Sequence, residues 1–136
     1  MPIKARYTHA DVGKKLSGAT VRLSKGDLQY VMNMLYDAIA MLNVMHPEFI
    51  AQAVTEGKRE VLGKPNGEFR QASIVEHVTL ATMKLETNPA LAMVEVRKAI
   101  EFLDRYAMGR NLTLEKKPSE RWTPERNDDA RLEGSD

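Results

Sequence analysis

The most apolar stretch of the chain runs from Leu28 to Met45 and contains a single charged residue, Asp37. Its apolar residues recur every three or four positions on one helical face, and Met34, Met41 and Met45 lie on a second strip. A helix that is apolar on two sides must be covered on both. The pattern predicts a helix whose methionine strip either fills the core or contacts a partner protein.

A thin polar edge formed by Gln29, Asn33 and Asp37, at positions i, i+4 and i+8, separates the two strips. A carboxylate on such a helix can be an acid with a raised pKa, but it more often faces solvent or pairs with a basic group. We expect the solvent-facing or paired role for Asp37. Its charge, and the helix length of 18 residues, also argue against a membrane span.

Start and stop residues predict three further helices. Proline is favoured at the first position of a helix, serine and asparagine often precede it as caps, and glycine commonly ends it. The apolar helix itself follows a capping-box pattern, Ser24 with Asp27. The other three are predicted to start at His46-Pro47, at Ser73 with Glu76 and at Asn88-Pro89, with Gly57 and Gly109 ending the first and last of them.

The segment 58–71 allows two interpretations. Pro65, Asn66 and Gly67 are a strong turn signal, and Asn-Gly between apolar residues is typical of a β-hairpin. The alternative is a longer helix, reaching Leu62, followed by a plain loop. We favour the hairpin.

The predicted fold is mainly α, with a compact four-helix body at residues 24–108 and a short β-hairpin within it. Residues 1–23 show no sustained period and are interrupted by glycines, so we expect an extended arm with at most a short strand. Residues 109–136 have mixed charge and few apolar anchors, which is typical of a tail that becomes ordered on a partner. Three other helices would hardly cover both faces of the apolar one, which favours oligomerisation or assembly.

Basic residues concentrate at the N-terminus, where residues 1–25 hold six Lys and Arg side chains against one Asp. Such an arm can meet nucleic acid, an acidic partner or the more acidic body of a second copy. No basic recognition helix accompanies it. The candidate contact residues are Lys4, Arg6, Lys14, Lys15 and Arg22.

No residue pattern indicates catalysis or a cofactor. The chain has no cysteine, which excludes disulfides, thiol nucleophiles and zinc sites built on thiolates. The three histidines lack the spacing of a metal site, and we expect structural or solvated roles for them. Glu101 and Asp104 lie one turn apart, but Arg97, Lys98 and Arg105 alternate with them, so ion pairs along the helix are the simpler interpretation.

These features favour a non-enzymatic structural or adaptor subunit of a larger assembly, such as a virus particle or a similar machine. It would bind protein partners or copies of itself, with Met34, Met41, Met45 and Trp122 at the interfaces, and no membrane. The alternative is a small regulator or inhibitor that binds nucleic acid, or an enzyme acting on it, through the basic arm. The absence of cysteine and of a leader-like apolar run favours the cytoplasm or a virus particle.

Overall fold

The structure is a computed structural model that describes residues 7–119. The mainly α prediction is confirmed, because these residues form five α-helices and no strand. The helices are α1 (His9–Ser24), α2 (Leu28–Met45), α3 (Ile50–Arg59), α4 (Gln71–Lys84) and α5 (Pro89–Met108), with short 3-10 helices at Pro47–Phe49 and Asn66–Glu68. None of the five helices is long and apolar enough to cross a membrane.

Helix α5, not the more apolar α2, is the centre of the fold. It packs against α2, α3 and α4, and eleven of its 20 residues are buried. Its start is as predicted: Pro89 occupies the first turn, and the Asn88 side chain accepts a hydrogen bond from the Leu91 N–H at 3.1 Å. Helix α1 pairs with α2 and also touches α4, which closes the bundle.

The prediction of an extended N-terminal arm is wrong from residue 9 onward, because α1 occupies most of that region. A capping box starts it: Thr8 accepts a hydrogen bond from the Asp11 N–H, and the Asp11 carboxylate accepts one from the Thr8 N–H at 2.9 Å. The buried face follows the helical spacing i, i+4, i+7, i+11. It consists of Val12, Leu16, Ala19 and Leu23.

Ser24 was predicted to cap α2, but it is the last residue of α1. The N–H of Gly26 donates to the Leu23 carbonyl, and the N–H of Asp27 donates to the Arg22 carbonyl. This pair of bonds is a Schellman motif, in which a glycine with positive φ closes the helix, and Gly26 has φ 81°. The true cap of α2 is Asp27, which accepts from the Tyr30 N–H.

The predicted β-hairpin at 58–71 is not present. Helix α3 continues to Arg59, and turn bonds follow it, such as that from the Val61 N–H to the Lys58 carbonyl. The Asn-Gly pair forms a 3-10 turn, in which the Glu68 N–H donates to the Pro65 carbonyl at 3.0 Å. No extended partner faces this turn, so the alternative of a longer helix followed by a loop is closer to the structure.

Three predicted helix boundaries are displaced. The helix expected from His46-Pro47 begins with the 3-10 helix Pro47–Phe49, and α3 itself starts at Ile50. Helix α4 starts at Gln71, before the predicted cap Ser73, whose hydroxyl instead donates to the Glu68 carbonyl at 3.0 Å. Gly57 does not end α3 but lies buried inside it. A Cβ at Gly57 would overlap the Cβ of Arg97 on α5, so the glycine is required for the close approach of α3 and α5.

Gly57→Ala should destabilise the fold, because overpacking a tight contact costs about 1–3 kcal/mol and outweighs the roughly 1 kcal/mol by which alanine favours a helix. Gly13→Ala in α1 is the matched control, since its Cβ would lie 3.8 Å from Leu85 Cδ1, an ordinary contact. Urea denaturation followed by circular dichroism measures both variants. Equal stabilisation by the two alanines would contradict the close α3–α5 approach.

Candidate functional site

The polar edge of α2 binds a segment of the same chain. We call Gln29, Asn33 and Asp37 the polar track, and residues 114–119 the C-terminal segment. The Gln29 amide donates to the Glu115 carbonyl at 3.0 Å and accepts from the Glu115 N–H at 2.9 Å. The Asn33 amide donates to the Lys117 carbonyl at 2.8 Å. The Asp37 carboxylate accepts from the Ser119 N–H at 2.8 Å and from its hydroxyl at 3.0 Å.

The spacing of the two partners explains this pairing. Four residues of an α-helix rise about 6 Å, and two residues of a non-helical chain can span up to about 7 Å. Positions 29, 33 and 37 therefore meet every second residue of the C-terminal segment. Four of the five hydrogen bonds use backbone atoms of that segment, and only the hydroxyl of Ser119 contributes a side chain. The polar track therefore contacts chiefly the backbone of the C-terminal segment.

Two side-chain contacts fix the position of the C-terminal segment along the polar track. Leu114 is 7% exposed and joins the hydrophobic core. Lys116 forms an ion pair with Asp104 of α5, with 3.0 Å between Nζ and Oδ2. The hydrogen bond to Asp104 raises the pKa of the Lys116 ammonium group. These contacts attach the C-terminal segment to both α2 and α5.

A reversal of the chain after α5 directs the segment toward α2. The N–H of Asn111 donates to the Met108 carbonyl, and the N–H of Leu112 donates to the Ala107 carbonyl. Asn111 has φ 62°, a left-handed conformation that asparagine tolerates better than most residues. Gly109 is the C-cap of α5, as predicted, but Asn111 makes the turn.

Asp37 is the most constrained member of the track, with 1% of its surface exposed. Lys15 of α1 donates to its Oδ2 at 2.9 Å, and the same carboxylate holds Ser119. The predicted pairing of Asp37 with a basic group is found, whereas solvent exposure is not. One buried carboxylate thus joins α1, α2 and the C-terminal segment.

The methionine strip predicted as an interface packs within the chain. Met41 is 5% exposed and belongs to the core, and Met34 and Met45 are partly buried against it. The Met34 side chain lies over Gly18, where a Cβ would come within 2.5 Å of the Met34 Cε. Helix α1 therefore supplies cover that the extended-arm prediction did not foresee. The fourth predicted interface residue, Trp122, lies outside the described residues.

Three of the five predicted basic contact residues, Lys14, Lys15 and Arg22, lie among the residues that the structure describes. Lys15 pairs with Asp37, and Arg22 lies 4.4 Å over the Tyr30 ring and 3.8 Å from a carboxylate oxygen of Asp27. Lys14 is exposed on α1. The remaining two, Lys4 and Arg6, lie outside the described residues.

The histidines contact other side chains. His9 and His46 stack with their Nε2 atoms 3.1 Å apart, and the Nδ1 of His77 lies 2.7 Å from Oε1 of Glu95. Glu95 is 5% exposed and also accepts from Lys98 at 3.1 Å. No local pattern signals the His77–Glu95 pair, because it joins two helices. No cluster of three potential metal ligands occurs among residues 7–119.

The carboxylates of α5 are paired differently from the prediction. Asp104 binds Lys116 of the C-terminal segment, not a basic residue of its own helix. Lys98 does form the expected kind of pair along α5, with Glu95, and it also reaches Glu60 at 3.7 Å.

Comparison with known proteins gives no relative from which a function could be transferred: no family model matches the chain, and no curated protein or solved structure is significantly similar to it.

Gln29→Ala should loosen the C-terminal segment, because it removes both hydrogen bonds to Glu115. A net loss of about 1 kcal/mol corresponds to roughly fivefold faster hydrogen exchange of the segment amides. Amide exchange followed by NMR measures this at Glu115 and Ser119. The matched control is Gln52→Ala on the exposed face of α3, whose amide donates to Glu56 at 3.3 Å. Unchanged exchange in Gln29→Ala would contradict the docking.

Glu95 should make stability depend on acid pH. Burial alone would raise the pKa of the Glu95 carboxyl, but the hydrogen bonds from His77 and Lys98 together outweigh burial and hold it below its ordinary value of 4.5. A pKa lowered on folding stabilises the fold fully above that ordinary value, and the contribution is lost as pH falls through the lower folded value.

The free energy of unfolding in urea, measured between about pH 6 and pH 3, should therefore fall less steeply in Glu95→Gln than in the parent protein. Glu76→Gln is the matched control, because Glu76 is exposed beside His77. A pH profile of Glu95→Gln that overlays the parent profile would contradict this assignment.

Proposed function

We propose that the protein is a non-enzymatic adaptor or structural subunit of a larger assembly, in which the helices form a platform that presents residues 120–136 to a protein partner. The observation that carries the proposal is the docking of the C-terminal segment along the polar track. It fixes the chain up to Ser119, so the residues that follow start from a defined point beside Asp37.

The residues after Ser119 have the composition of a protein-binding tail. Trp122 follows three positions later, within about 11 Å of Ser119 at the maximum extension of a chain. Tryptophan is enriched among the residues that dominate binding energy at interfaces. Residues 120–136 contain six Asp and Glu against three Arg, which favours a basic surface on the partner.

Anchoring the tail also makes binding thermodynamically easier. A segment that is free in solution loses conformational entropy when it binds, and that loss subtracts from its affinity. The hydrogen bonds to Gln29 and Asp37 restrict the chain before any partner is met. The lack of cysteine in all 136 residues fits a reducing setting, such as the cytoplasm or a virus particle assembled there.

A photoreactive phenylalanine analogue at position 122, tested in an extract of the source cells, examines the proposal. We expect one discrete cross-linked adduct, with a yield several-fold lower when Asp37→Ala is added, because the released tail binds with a larger entropy loss. The same probe at position 52, exposed on α3, is the matched control. Equal adducts from both positions, no adduct from position 122, or a yield unaffected by Asp37→Ala would contradict the proposal.

A further inference from the structure

A cleft of about 780 Å³ lies where the start of α4 meets the end of α5. Three arginines line it: Arg70 precedes α4, Arg105 lies in the last turn of α5, and Arg110 follows α5. No Asp or Glu lines it. We call this feature the arginine cleft, and core packing does not account for such a concentration of positive charge.

The three guanidinium groups lack local counter-charges. Within residues 7–119 no carboxylate oxygen lies within 4.0 Å of any of them, whereas Arg22, Lys15 and Lys98 all have ion-pair partners. The negative end of α5 attracts Arg105 and Arg110, but a helix end carries only about half an elementary charge. Among the described residues, the three guanidinium charges therefore exceed the negative charge placed next to the cleft.

Aromatic rings help to position two of the arginines. The Cζ of Arg110 lies 4.3 Å from the centroid of the Tyr106 ring, and the Cζ of Arg105 lies 5.9 Å from that of Phe69. A guanidinium group held over a ring keeps its in-plane N–H donors available for an oxyanion. The contacts also reduce the side-chain freedom that binding a ligand would otherwise remove.

Neutral donors add to the same cleft. The Gln71 amide donates to the Tyr106 hydroxyl oxygen at 3.1 Å, which leaves the hydroxyl hydrogen free to be donated to a ligand. Helix α4 starts beside these groups, and no side chain caps it, so its positive end contributes to the potential of the cleft.

We infer that the arginine cleft binds the phosphate groups of a small phosphorylated ligand. Arginine forks match phosphate oxygens with paired, charge-assisted hydrogen bonds, and three arginines but no carboxylate line this cleft. The volume falls within the range of about 300–1,000 Å³ that is usual for small-molecule sites. This inference is independent of the proposed role of the tail.

Isothermal titration of the full chain with pyrophosphate tests the inference. We expect binding that weakens as salt is raised and that falls about tenfold or more in the double variant Arg105→Gln with Arg110→Gln. Arg59→Gln is the matched control, because Arg59 is an exposed arginine of α3 with no ion pair among the described residues. Arg59→Gln removes an arginine charge at a position that does not line the cleft, so the affinity for pyrophosphate should stay within about twofold of the parent value.

Arg70→Gln provides a second variant, since Arg70 is exposed and lies outside the helices, and it should weaken binding even if the double variant unfolds. No heat of binding with pyrophosphate, or equal weakening by Arg59→Gln, would overturn the inference. A five-nucleotide single strand is the second probe. If it binds more than tenfold tighter than pyrophosphate, the cleft is part of a nucleic-acid surface and the small-ligand assignment fails.

Discussion

The buried carboxylate of Asp37 is the interaction on which the arrangement of the rest depends. A charge removed from water is tolerated only when a counter-charge and hydrogen bonds replace its hydration. Lys15 of α1 supplies the counter-charge, and Ser119 of the C-terminal segment donates hydrogen bonds from its N–H and its hydroxyl. The two regions that flank the predicted four-helix body are therefore held on the same helix, and each covers part of the apolar α2.

The segment is held by a different kind of contact from the helices. Helices α2 to α5 meet through apolar side chains, with α5 at the centre. Residues 114–119 are held mainly by hydrogen bonds between α2 side chains and the backbone of the segment. Leu114 adds one apolar contact, and Lys116 adds one ion pair. Regions with few buried apolar contacts open most readily. The arginine cleft lies just before this segment in the chain. It is lined in part by Met108, Gly109 and Arg110, which precede the turn toward α2.

Sequence patterns correctly predicted those helices whose caps and apolar faces depend on residues close together in the chain. Asn88-Pro89 and the apolar period of Leu28–Met45 gave correct helices, because caps and periodicity act within a few residues. Helix α1 was missed because Gly13 and Gly18 suggested interruption, although Thr8 with Asp11 and the spacing from Val12 to Leu23 both indicated a helix. The polar track was recognised as an edge, but its occupant lies more than 80 residues away, a separation that no local pattern can encode. The arginine cleft likewise forms only when α4 packs on α5.

The most direct test of the account is an NMR measurement of proximity between the side-chain amides of the polar track and the C-terminal segment in the full chain. We expect nuclear Overhauser effects from the Gln29 side-chain amide to Glu115 and from the Asn33 side-chain amide to Lys117, retained on dilution because both partners belong to one chain. Absence of both effects, or their loss on dilution, would contradict the central claim that α2 holds its own C-terminal segment.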